Sequence, residues 1–111
     1  MNWELAPDLQ KEVVEIISTL DLSYIDPKRV IVFRSSGSKS RAFARIWSFP
    51  RIWQKALNKK PHYCIEVLSE HFDRLSHQQK RTTLIHELAH IPKNFSGSLL
   101  HHGRMNKISE A

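Results

Sequence analysis

Apolar positions fall into two kinds of pattern along the chain. Val13, Ile16, Ile17 and Leu20 recur at helical spacing and predict a helix from Pro7 to about Leu20. Pro7 suits the first helical position, and Asp8, Glu12 and Glu15 suit its N-terminal turns. Asp21 to Lys28, with Pro27, then reads as a connection. Arg29-Val30-Ile31-Val32-Phe33-Arg34 is β-branched and reads as a strand. The alternation from Ala42 to Trp47 predicts a second strand. His62 to Leu68 predicts a third, with Tyr63, Ile65 and Val67 on one face and Cys64, Glu66 and Leu68 on the other. Between these, Ile52, Trp53, Ala56 and Leu57 lie at helical spacing after Pro50, and Asn58 to Pro61 is a turn. Phe72 and Leu75 read as anchors in a loop.

A last helix is signalled by Ser76-His77-Gln78-Gln79, a capping box in which Ser76 and Gln79 satisfy each other's backbone N–H groups. Leu84, Ile85, Leu88 and Ala89 supply its buried side, and Pro92 disfavours helix at Ile91, so it should end near His90. The elements together predict an α+β domain: a small, mostly antiparallel three-stranded sheet packed against the N-terminal helix and this last helix.

Composition narrows the class. A chain of 111 residues with 41% hydrophobic positions suits one folded domain, residues 1–111, rather than a disordered one. No apolar run is long enough to span a bilayer, so no membrane role is expected. The N-terminus lacks the charged-then-apolar order of a signal peptide. Cys64, the single cysteine, cannot form an internal disulfide, and these features together fit a reducing cytoplasmic setting.

Net charge is +6, and from Lys28 to Lys60 there are ten Lys or Arg and no Asp or Glu. That run is either a solvated face or a surface for polyanions. Phe43, Trp47, Phe49 and Trp53 are interleaved with it, a composition that suits single-stranded nucleic acid unless those rings belong to the core. The polar loop Ser35 to Ser40 is too short and has a single Gly, with Ser38 rather than a second Gly before Lys39-Ser40, which excludes a phosphate loop.

The chemistry concentrates at His86-Glu87-Leu88-Ala89-His90. On a helix the two histidines stand one turn apart on one face and can address one ion, while Glu87 can reach a water on it. Two neutral imidazoles, an open position for water and a carboxylate to take its proton are what a catalytic zinc needs. A third ligand must come from elsewhere. His101 and His102 lie beyond a turn that can fold the chain back, and Glu110 is the weakest candidate because the chain ends at Ala111. Lys93 replaces the Gly that a metzincin turn requires. His62, His71 and His77 read as surface or packing residues. Cys64 reads as a small buried strand residue and Glu66 as an exposed one or as a partner of a ligating imidazole. Tyr63 or Arg104 is a candidate oxyanion donor.

The run His86-Glu87-Leu88-Ala89-His90-Ile91-Pro92-Lys93-Asn94-Phe95-Ser96-Gly97, followed by His102, resembles a family of small metallopeptidases of archaea and bacteriophages within the wider zincin group. The family pattern is H-E-L-x-H-I-P-x-x-F-x-G with a His about five residues later. Ala44-Arg45-Ile46, Pro50-Arg51-Ile52-Trp53, Tyr63-Cys64-Ile65-Glu66-Val67 and Phe72-Asp73-Arg74-Leu75-Ser76 share the resemblance, which covers about residues 28–104. It implies a minimal zincin-like fold, one catalytic Zn²⁺ on His86, His90 and His102, and Glu87 as general base. It also implies a peptide or protein substrate lying along the strand His62 to Leu68 by β-addition. Two other function classes compete with a zinc peptidase. One is a nucleic-acid-associated module using the basic 28–60 segment. The other is a non-catalytic zinc fold, which would need four closed protein ligands.

Overall fold

The computed structural model of the chain describes residues 1–108. Glu110 lies outside the described residues. The architecture is α+β, as the pattern predicts, but the sheet has four strands and is mixed, with order β1-β2-β4-β3. Strand β1 (Asn2–Leu5) pairs antiparallel with β2 (Val30–Ser36), which pairs parallel with β4 (Tyr63–Leu68). Strand β3 (Ala44–Trp47) pairs antiparallel with the other side of β4.

The extra strand, β1, escapes periodicity because it is four residues long and exposed throughout. The ladder beyond it is continued by a side chain. Ala6 N–H reaches Val32 O, and the Gln10 amide donates to Val30 O at 2.7 Å and accepts from Val32 N–H at 2.9 Å. Thus β2 keeps its backbone groups paired after β1 has ended.

Helix α1 (Pro7–Thr19) buries Leu9, Val13, Ile16 and Ile17 against one face of the sheet. Helix α4 (His77–Leu88) packs on the same side, and Val30, Val32, Tyr63, Ile65 and Val67 form the floor of that core. Helix α2 (Arg51–Leu57) sits at the predicted place but buries none of its residues. A single turn, α3 (Ser69–Phe72), carries Phe72 into the core where a loop was expected.

Two expectations for β4 are corrected. It is flanked by β2 and β3, so neither of its edges is open to a substrate strand. The edge beside the motif helix is β3. Glu66 is neither exposed nor near the histidines: it is 2% exposed and takes 2.9 Å hydrogen bonds from Arg45 Nε and Trp47 Nε1. Burial pushes its pKa up, but these hydrogen bonds, led by Arg45, outweigh it and hold the carboxyl at about 2.

A folded pKa below the ordinary 4.5 contributes stability that is present above pH 4.5 and lost as pH falls toward 2. The contribution is at most about 3 kcal/mol, because water screens the partly exposed Arg45. In urea unfolding, the stability gap between wild type and Glu66→Gln is expected to close between pH 4.5 and 2. A gap independent of pH would contradict this role.

Candidate metal centre

The centre is built where α4 stops. The Ser76–Gln79 capping box is formed in both directions, which starts the helix at His77 as expected. Its far end tightens: His90 N–H bonds Glu87 O and Ile91 N–H bonds Leu88 O, both at 3.1 Å. A helix end leaves carbonyls without partners inside the helix. Here the returning chain supplies the donors. Leu100 N–H reaches His90 O at 2.7 Å, Asn106 N–H reaches Ala89 O at 3.0 Å, and Asn106 Nδ2 reaches Ile91 O at 2.7 Å. The polar residues Gly103 to Ala111 read as loosely held in the sequence, yet among them Asn106 is a clamp and Ile108 packs on the core.

The intervening loop is fixed by the remainder of the motif. Ile91 is fully buried, and Phe95 sits edge-on to Tyr63 with ring centroids 5.1 Å apart. Gly97 has φ +95, and a Cβ there would run into the Phe49 carbonyl and the Gln54 amide. Tyr63 Oη donates to Ser98 O and accepts from Gly97 N–H, each at 2.8 Å. This corrects the expectation of Tyr63 as an oxyanion donor: its hydroxyl is already engaged in holding the loop. Arg104 is exposed.

These constraints bring His86, His90 and His102 together, with ligating atoms all within 4.8 Å of one another. The ring centroids of His90 and His102 are 4.8 Å apart, and those of His86 lie 5.4 and 5.5 Å from the other two. His101 lines the adjacent groove but is not in the cluster. His62 stays remote, its Nδ1 on Lys60 O and its ring against Phe49.

The donor set fits a metal ion. His90 Nδ1 stands 2.6 Å from Leu100 O, so Nδ1 carries the proton and Nε2 keeps its lone pair for the cluster. The His86 pKa is lowered, first by loss of solvent and then by the charges of His90 and His102, which favours the neutral ring that a ligand must be. Tetrahedral ligand atoms around an ion stand about 3.4 Å apart, a small rotamer adjustment from this arrangement.

Glu87 lies beside the triad, 7% exposed, and burial raises its pKa to about 7. It lines two continuous cavities that meet at His86, Glu87 and Ala44. One, of about 520 Å³, extends past His90 to Leu99 and His102. The other, of about 330 Å³, extends past Phe43 to Thr82 and Thr83. A groove therefore runs along the outer side of β3, over the acid and the histidines.

Among the described residues no helix is long and apolar enough to cross a membrane. Comparison with known proteins finds no matching curated protein and no matching solved structure. A family model does match, and it covers nearly the whole chain rather than the motif alone. On that match, over residues 1–108, the chain belongs to the family described as putative phage metallopeptidase.

Proposed function

We propose that the protein is a zinc-dependent peptidase of zincin-like build, with His86, His90 and His102 as metal ligands and Glu87 as general base. The observation that carries this reading is the buried carboxylate with a pKa near 7 beside three convergent imidazoles, two of them open to the groove. Three neutral nitrogen donors with a free position are the ligand set of a catalytic rather than a structural zinc.

When bound, the ion polarises a carbonyl and lowers the pKa of water toward neutrality. The chain does the rest. Glu87 accepts a proton from the attacking water and returns it to the leaving amine. The Leu100 carbonyl keeps the His90 ring in register. Strand β3 aligns the substrate. Leu68 N–H bonds Phe43 O, so in the alternating antiparallel ladder Ala44 and Ile46 turn their N–H and C=O groups to the free edge. An extended peptide added there lies along the groove, with side chains entering the cavities on either side of Glu87.

With zinc present, the protein is expected to cleave an unfolded protein such as casein, to lose activity on chelation and to regain it with one equivalent of zinc. Cleavage that survives complete removal of metal would overturn the reading.

A further inference from the structure

We propose that the sheet face turned away from α1 and α4 binds single-stranded nucleic acid, across a trough whose walls are Trp3 and Trp47. The inference is independent of the peptidase reading, because this face lies on the other side of the sheet from the core that carries α4. Trp3 and Trp47 stand on the two edge strands and are 59% and 53% exposed. Phe33, Cys64 and Glu66 form the floor between them, and the five side chains enclose a cavity of about 320 Å³. Three inter-strand spacings separate the two edges, about 14 Å, room for two or three stacked bases.

Trp3 and Trp47 leave two aromatic planes in water, with Leu5 beside Trp3 also exposed, and flat rings so placed suit a partner that stacks. Charge selects which partner. The segments leading into and out of β3 carry Lys39, Arg41, Arg51, Lys55, Lys59 and Lys60, all exposed and with no acid among them. The one acid lining the trough, Glu66, is paired with Arg45 at 2.9 Å, so the floor does not repel a phosphate chain. Planar bases stacked on the indoles, with phosphates drawn to the cations that flank β3 in the chain, satisfy both features. Of the aromatics interleaved with the basic segment, which the sequence leaves as either core or stacking surface, Phe43, Trp47 and Trp53 are exposed.

Anisotropy of a labelled 20-nucleotide oligothymidylate with the full-length chain tests this. Binding is expected at low salt, falling linearly with salt on logarithmic axes. Trp3→Ala should weaken it about fivefold or more, and Trp3→Phe, which keeps a stacking ring, should restore most of it. Oligothymidylate should also slow maleimide labelling of Cys64, the chain's single cysteine, at the trough floor. No binding at low salt, binding indifferent to Trp3→Ala, or unchanged Cys64 labelling would overturn the proposal. So would Trp3-dependent dimerisation in sedimentation without oligonucleotide binding, or Trp3-dependent adsorption to phosphatidylglycerol vesicles in its place.

Discussion

Glu87→Gln is expected to lower peptide hydrolysis by about 10³-fold while zinc stays bound with unchanged stoichiometry. The amide keeps the shape of the side chain but cannot take a proton from water. A second readout separates this from a structural defect. In the metal-free protein the folded pKa of Glu87 is about 7, against an ordinary 4.5. A raised carboxylate pKa means that stability is fully present below pH 4.5 and is lost as pH rises through 7. At pH 8 the ionised side chain therefore opposes folding by about 3 kcal/mol. Metal-free Glu87→Gln should thus be more stable than wild type at pH 8 and equal to it near pH 4, by urea unfolding. A variant that is inactive and also less stable at pH 8 would mean that Glu87 serves the fold and not the reaction.

His102→Ala is expected to weaken zinc binding by at least about 100-fold and to abolish the rise in melting temperature that zinc gives the wild type. His102 is the member of the triad that the helix does not supply, so its position depends on the chain returning to the end of α4. Asn106 makes that return, through its backbone on Ala89 O and its side chain on Ile91 O. Asn106→Ala keeps all three imidazoles but loosens the turn that presents one of them. It should cost about tenfold in zinc affinity, measured by competition with a chromophoric chelator. If His102→Ala binds zinc as wild type does and His101→Ala does not, the two neighbours have exchanged roles.

The local parts of this site are legible in the sequence. Helix start, helix stop and the i, i+4 histidines are short-range features, and the capping box and Pro92 place them without tertiary information. For the triad's third member the sequence offers His101 and His102, with Glu110 the weakest candidate, and the family resemblance points to His102. What is not legible is whatever depends on neighbours distant in the chain. Strand β4 reads as a half-exposed strand, yet it is central, because edge status is decided by β2 and β3 and not by its own residues. For the same reason the sequence offers His62 to Leu68 as a free edge, whereas the free edge beside α4 is β3. Glu66 looks like a solvent-facing carboxylate until Arg45 and Trp47 are brought beside it by the β3 register. Asn106 carries no sequence signal at all. Its role follows only from two carbonyls at the end of α4, Ala89 O and Ile91 O, that are left to be satisfied.

The central claim is that three imidazoles hold one ion with a position left open over the groove. X-ray absorption at the zinc edge, on the full-length chain loaded with one equivalent, tests it most directly. Three histidine nitrogens at about 2.0 Å with one light non-protein ligand is the predicted shell. A shell with fewer than three imidazoles, or one closed by a fourth protein side chain, would contradict it.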